Sequence, residues 1–575
     1  MVGALLSRVL PTVVAPLGFA HADKLAWIFA LICGVAPLWA SEALPLVDLP
    51  QHLHLISVLH RLDDASTLYP EIFARRPELT PYVGYYYAVS LLNWLMPLEL
   101  ANRVFLSAFV AGLPLSLAFL LRSLKRPAWP ALLALPFAYG DSFAWGFINY
   151  CASLPLALIT CGLFVRAIED PKRRAWAGAM AASLVAVLLF HVQAFAWLGV
   201  ALPFLLLTTP APQGSGWRAR VPALVGVMPG VILFVLWVGL RVGQPQEIAP
   251  GQPWRSWGPM LSKENLGWKS LEQNLGEFIS VPRAPNGSLQ VLETNFPILA
   301  GITPDGSDQR AVRLVFLVAL GAMLFGLWRA IDNAIVSFKS PRSSGLVPRA
   351  LEGVQGLFRR PGEEGPVARF RIVGLTALAA LLYLALPFDI RGYMYYLNTR
   401  YAHLVAALLV CSVPALDELW SRRLVYLAAA TSLLLMLPLR AAFQAFELES
   451  RTLTELAKSA GRKPRVMGLI YATGSRAVTH PVYLHAGCVV AREAGGLTNF
   501  SFAITPHSPL MYRGAPPPTF PSEWRPDQMR WEENGSHYDH FVLRGVQPEQ
   551  IFGQRLRSEL YVAAQSGDFF LVRRR

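Results

Sequence analysis

Charge is what this chain has least of: Asp, Glu, Lys and Arg make up 15% of its 575 residues, against about 25% in a soluble domain. Hydrophobic residues make up 54%, and the mean hydropathy is +0.39. A soluble globular protein is thereby excluded. Cysteine is scarce too. Cys33, Cys151, Cys161 and Cys411 fall in or beside apolar runs and Cys488 stands alone, so no disulfide framework or paired thiolate spacing exists. No internal repeat or low-complexity segment stands out, which argues against the symmetric halves of many transporters. A signal peptide's basic region, short apolar core and small-residue cleavage site are not found in clear order. Met1–Asp23 is expected to be a retained leader ahead of a true span.

What is abundant is apolar sequence in runs of roughly 16–21 residues, close to the length that crosses a bilayer core. Spans are expected near Leu25–Ala40, Val104–Leu121, Trp129–Ala144, Ile148–Ile168, Ala175–His191, Ala194–Leu207, Val221–Leu240, Val312–Ala330, Ile372–Pro387, Tyr401–Leu416 and Leu424–Leu439. The formal net charge of +14 sits in short connectors: Arg122, Lys125 and Arg126; Lys172, Arg173 and Arg174; Arg218 and Arg220; Arg422 and Arg423. Such connectors mark cytoplasmic loops and weigh against a nucleic-acid partner. With the N-terminus inside, the loop after Ala40, the loop Arg241–Asp308 and the tail after Arg440 face outward. Tyr82–Met96 is apolar enough to cross, but a crossing would invert every later loop, so a re-entrant or surface helix is preferred.

The tail reads differently. Val466–Tyr471, His540–Leu543 and Leu560–Ala563 are short strand-like runs between Gly, Pro and Asn clusters, with a helix over Pro548–Leu556. The fold class is therefore mainly α. A polytopic transmembrane helical bundle over 1–440 carries a small extracytoplasmic α/β domain over 441–575.

Chemistry-bearing residues concentrate at span ends. Asp48, His52 and His54 follow the first span, where a charge is costly unless it lines a wet cavity or finds a partner. Pro50 to Leu62 carries Leu53, Ile56, Leu59 and Leu62 at helical spacing, with Gln51, His54, Ser57 and Arg61 on another side. That pattern suits a helix lying on the membrane surface. Asp48 can act as a general base, with His52 four residues on to orient it, or it can cap the helix that Pro50 starts. Asp48 and His52 are at most half of a metal site, which leaves a divalent metal open and no cofactor certain.

A second cluster holds Asp389, Arg391, Asn398, Thr399, Arg400, Tyr401 and His403. A guanidinium there grips phosphate or anchors the interface. Asp141 opens a polar and aromatic break that runs to Tyr150, suited to sugar faces or to interfacial anchoring. His191 sits where two spans meet and either caps a helix or works in a site. Trp254, Arg255, Trp257, Trp268 and Arg283 form an outer segment that either gates a cavity or lies on the surface.

Asp48-Leu49-Pro50-Gln51-His52-Leu53, Trp145-Gly146-Phe147-Ile148-Asn149-Tyr150 and Leu189-Phe190-His191, in this order with the loops and tail, resemble a bacterial branch of the GT-C superfamily of integral-membrane glycosyltransferases. Asp48 matches the superfamily's acidic position in the first external loop. The chain departs from the oligosaccharyltransferase branch, lacking its second acidic motif and its tryptophan-rich tail signature, and this leaves metal dependence open. The resemblance implies transfer of a sugar from a polyprenyl-phosphate-linked donor to a glycan, lipid or protein acceptor at the periplasmic face of the bacterial inner membrane. Asp48 and His52 would be catalytic, and His54, Asp141, His191, Arg391, Arg400 and His403 would bind substrate. A polymerase or ligase of lipid-linked polysaccharide, and a non-catalytic transporter or assembly subunit, are the rival expectations.

Overall fold

The computed structural model describes residues 21–241, 298–338, 370–386, 396–413 and 418–575, apart from 79 and 506, together with two short strands at 247–249 and 252–253. The longer helices of the N-terminal part are α1 (His21–Val35), α2 (Leu49–His60), α3 (Gly84–Asn93), α4 (Leu98–Ser123), α5 (Ile148–Glu169), α6 (Ala175–Phe190), α7 (Val192–Thr208), α8 (Val221–Arg241), α9 (Ser307–Phe338), α10 (Arg371–Ala385), α11 (Tyr401–Cys411) and α12 (Glu418–Lys458). Five helical runs are long and apolar enough to cross a membrane: Leu98–Ser123, Ile148–Glu169, Gly216–Leu240, Ser307–Trp328 and Leu419–Lys458. Leu224, Val225, Met228, Leu317, Leu320 and Leu324 point outward on two of them, a surface that lipid accommodates and water does not. Hydroxyls within these helices turn back on their own backbone, as Thr160 does onto the Leu156 carbonyl at 2.8 Å. The chain is a multi-pass membrane protein.

Two expected segments take other forms. Trp129–Tyr139 is an 11-residue 3₁₀ helix, not a full span to Ala144. Pro130 and Pro136 each remove an amide donor there, and every residue of the segment is buried against its neighbours. The stretch Tyr82–Met96 contains only α3, ten residues long, or about 15 Å, half a bilayer core. Its entry amide, Val83, donates to the Leu189 carbonyl at 3.0 Å. The chain then reaches Glu99 on α4, which pairs with Arg492 of the tail at 3.1 Å. The stretch thus starts and finishes at one end of the bundle.

The two ends differ in chemistry. At one, Lys125 pairs with Glu169 at 3.2 Å, Arg126 donates to the Val413 carbonyl at 2.7 Å, and Arg422 approaches Asp23 at 3.9 Å. The basic connectors gather here. At the other end the tail covers the bundle: His480 meets Asp141 at 3.0 Å, and the Thr479 hydroxyl donates to the Gly301 carbonyl.

The tail is built on α12, which runs unbroken from 418 to 458 through the expected boundary at 440. Apart from the pair at 247–249 and 252–253, the strands in chain order are β1 (Phe73–Arg75), β2 (Arg465–Ile470), β3 (Leu497–Thr498), β4 (Leu510–Tyr512), β5 (His540–Arg544), β6 (Leu560–Ser566) and β7 (Phe569–Arg574), with helix α13 (Ala486–Ala494) after β2. Five strands form a sheet in the order β3-β2-β5-β7-β6, parallel at β3-β2-β5 and antiparallel beyond. Alternation along the strands separates two faces. Met467, Leu469, Phe541 and Leu543 pack with Phe552 and Phe520 in a core of their own. Val466, Ile470, Val542 and Leu571 join the core that extends into the helical bundle. β1, from the segment after α2, pairs antiparallel with β4 of the tail, which stitches the two parts together.

Candidate functional site

The site begins with a tight approach of two backbones. Val47 and Asp48 donate their amides to the carbonyls of Ala144 and Trp145 at 2.9 and 3.0 Å. Gly146 takes φ +88°, and a Cβ there would lie 2.9 Å from Cβ of Asp48. Only glycine accepts both conditions. Asp48 occupies the N-cap position of α2, yet its carboxylate makes no capping bond. Instead Oδ1 accepts from Nε2 of His485, on the loop before α13, at 3.2 Å. His485 Nδ1 lies 2.8 Å from the Glu523 carboxylate. Burial alone would lower the pKa of His485, but Glu523 and Asp48 outweigh it and push it up to about 10. His485 is therefore an imidazolium between two carboxylates.

His52 stands one turn after Asp48. Its Nε2 lies 3.0 Å from the Gly146 carbonyl and its Nδ1 lies 2.7 Å from the Tyr86 hydroxyl. A carbonyl only accepts, so Nε2 carries the proton and Nδ1 accepts from Tyr86. Burial lowers the His52 pKa, which keeps the ring neutral. His52 fixes the Gly146 turn beneath Asp48.

Asp48, His52, His191 and Arg400 line one cavity of about 730 Å³ with Tyr82, Tyr86, Trp145, Phe147 and Tyr150. The tail contributes His485, Phe502, His507, Glu523 and Trp524 to the same walls. His191 caps α7, its Nδ1 accepting the Gln193 amide at 3.1 Å. Its Nε2 lies 3.1 Å from the Arg400 guanidinium. A neutral imidazole has one lone pair, so it cannot accept from both donors. The guanidinium also stacks 4.1 Å over the Phe147 ring, and the Tyr150 hydroxyl holds the Arg400 carbonyl at 2.6 Å.

Three expected site residues lie elsewhere. His54 is two residues beyond His52, about 200° around the helix, and points away from the cavity. Its Nε2 meets the Gly496 carbonyl at 3.1 Å, and burial takes its pKa down to about 4. Asp141 pairs with His480 in a neighbouring cavity of about 430 Å³ that shares Trp145 and Tyr396. His403 packs against Gly140, where a Cβ would strike its Nε2 at 1.8 Å. Arg391, Asp389, Trp254, Arg255, Trp257, Trp268 and Arg283 lie outside the described residues. The surface helix expected at Pro50–Leu62 is instead covered on both faces, with Leu49 to Leu59 largely buried. The Gln51 amide donates to the Phe500 carbonyl at 3.0 Å and its oxygen accepts the Phe502 amide at 3.2 Å. The polar stripe read as solvent-facing is the face on which the tail docks.

His485 and Glu523 were not singled out in the sequence. No local pattern joins them to Asp48, which lies 437 residues before His485. The only signal was a pair of histidines, His480 and His485, flanking a short apolar stretch. Among the described residues no group of three or more His, Cys, Asp or Glu is arranged to hold a metal ion.

No protein-family model matches the chain, and no curated protein matches it. Among solved structures it is similar to ArnT from Cupriavidus metallidurans. The apo crystal structure aligns at 14% identity and a TM-score of 0.41. The one bound to undecaprenyl phosphate aligns at 13% and 0.43. Both alignments cover 96% of this chain and 98% of that one.

Proposed function

We propose that this protein is an inverting membrane glycosyltransferase that moves a sugar from a polyprenyl-phosphate-linked donor to an acceptor hydroxyl. The single observation that carries the reading is convergence. Asp48, His191 and Arg400 come from three separate connectors and line one cavity at the tail-covered end of the bundle. A carboxylate for proton removal stands in the same cavity as a guanidinium and an imidazole suited to a phosphate. The Arg400 guanidinium and the His191 imidazole stand side by side, 3.1 Å apart, a pairing of a cation with a hydrogen-bonding ring that suits an anionic oxygen. Aromatic walls from Trp145, Phe147 and Trp524 suit a sugar ring.

In the reaction the acceptor oxygen bonds to the anomeric carbon as its proton passes to Asp48. The bond from that carbon to the phosphate oxygen breaks, and its electron pair leaves with the phosphate. Arg400 stabilises the charge that develops there. The basic connectors lie at the opposite end, and by the positive-inside rule this supports a cytoplasmic face there and a periplasmic cavity.

The test is donor binding and turnover by the full-length protein with a panel of radiolabelled polyprenyl-phosphate sugars. Release or transfer of label from at least one is expected. Arg400→Lys keeps the charge but loses the planar fork, so donor KM should rise about 10-fold while the protein still inserts and folds. No donor turned over by the wild type, or unchanged donor KM in Arg400→Lys, would contradict the reading.

A further inference from the structure

The tail domain stands where Asp48 alone would be expected to work, and its contact with that carboxylate is specific. Nε2 of His485 reaches Oδ1 of Asp48 at 3.2 Å, and Nδ1 reaches Glu523 at 2.8 Å. Both partners are acceptors when ionised, so both ring nitrogens must carry protons unless one acid does. The ring cannot swing away. Its side chain is 5% exposed, and Phe502 meets it edge-on at 5.8 Å. Gln51 in turn holds the backbone at Phe500 and Phe502. The same helix that carries Asp48 therefore fixes the loop that carries its partner.

We propose that the tail domain completes the catalytic centre: His485, held as a cation by Glu523, is the positioning residue that binds one oxygen of Asp48 and turns the other toward the acceptor hydroxyl. The inference rests on Asp48 being the base. With Oδ1 taken by Nε2–H, the acceptor's proton lands on Oδ2 as the new glycosidic bond forms. The imidazolium already holds two protons and takes no part in that transfer. Its hydrogen bond sets the direction of the carboxylate plane. Glu523 does not touch the reacting atoms; it sustains the charge on the ring. A base armed in this way exists only while the tail is seated on α2, so the sugar donor meets an active carboxylate only in the closed assembly of the two parts.

Other charged or titratable groups facing the pair are His52 from α2, Tyr86 from α3, Tyr82, Tyr150, Tyr396, Arg400 and His191 from the bundle, and His507 from the tail. None of them meets His485 at hydrogen-bond distance among the contacts described.

Two measurements on the full-length protein in detergent test this. The first needs no substrate: nitrogen NMR of ¹⁵N-histidine-labelled protein, with His485 assigned by its loss in His485→Asn. Both ring nitrogens should remain protonated at pH 8 in the wild type, and the ring should become neutral at pH 8 in Glu523→Gln and in Asp48→Asn. A neutral ring at pH 8 in the wild type overturns the proposal, whatever the chemistry. The second follows any labelled polyprenyl-phosphate sugar that the wild type turns over. His485→Asn, which keeps a donor but no charge, should lower kcat about 10- to 100-fold with donor KM unchanged. Glu523→Gln should do the same to a smaller extent. Full kcat in both variants would reduce the pair to a docking contact and overturn the proposal. If no sugar is turned over, the glycosyltransferase reading itself has failed; if Asp48→Asn turns over sugar at the wild-type rate, Asp48 is not the base; in either case the NMR result still decides the state of His485.

Discussion

Single residues carry the site, and their legibility in sequence depended on distance along the chain. Asp48 and His52 stood out because a carboxylate and an imidazole beside a span end are costly without a use. His191 and Arg400 stood out for the same reason, as polar residues at the ends of apolar runs. What could not be read was their convergence, since nothing local links the α6–α7 corner to the start of α11. That the Asp48 carboxylate bonds His485 and not the helix amides was equally out of reach of the sequence. Gly146 has a sharp consequence at this scale. Its φ of +88° and the 2.9 Å approach to Asp48 mean that Gly146→Ala must displace the Asp48 backbone. Stability should fall by about 1–3 kcal/mol, and turnover should fall at least about 10-fold, because a misplaced base loses its geometry. Thermal unfolding and donor turnover check the two parts, and wild-type activity in a folded Gly146→Ala would contradict this placement.

At the scale of elements, helical periodicity was readable and its partners were not. The stripe Gln51, His54, Ser57 and Arg61 was visible, but a polar stripe looks alike whether water or a folded domain covers it. α2 is in fact sandwiched between the bundle and the tail, with His54 fully buried against Tyr69, Phe73 and the Gly496 carbonyl. Proline explains the miss at Trp129–Tyr139, where hydropathy alone suggested a span. The burial of His54 gives a pH dependence. Its folded pKa, lowered to about 4, lies below the value of about 6.5 in an unfolded chain. The unfolded state binds the extra proton first, so this residue's contribution is intact above about pH 6.5 and is lost as pH falls toward 4. The loss should be on the order of 3 kcal/mol. Unfolding curves for wild type and His54→Phe between pH 4 and 7 should converge on acidification, and parallel curves would contradict the buried neutral ring.

At the scale of the whole molecule, the alternation of basic and polar connectors was legible because charge distribution alone sets it. The tail's sheet was only partly legible. Its first, central and penultimate strands showed as apolar runs, whereas β7 and α13 gave no separable signal. The expected boundary at 440 fell inside α12, since a helix that leaves a membrane without a break shows only a change of composition. Orientation is testable directly. A reporter fused after Arg575 should be active outside the cytoplasm, and a cytoplasmic signal there would put the cavity on the side away from the proposed chemistry.

The central claim is that the cavity between bundle and tail performs base-catalysed sugar transfer through Asp48. The most direct measurement is turnover of a polyprenyl-phosphate-linked sugar by Asp48→Asn, compared with the wild type at equal amounts of folded protein. The amide keeps the shape of the side chain but cannot take the acceptor's proton, so product formation should drop roughly 100- to 10,000-fold with donor binding retained. Turnover by Asp48→Asn at the wild-type rate would contradict it.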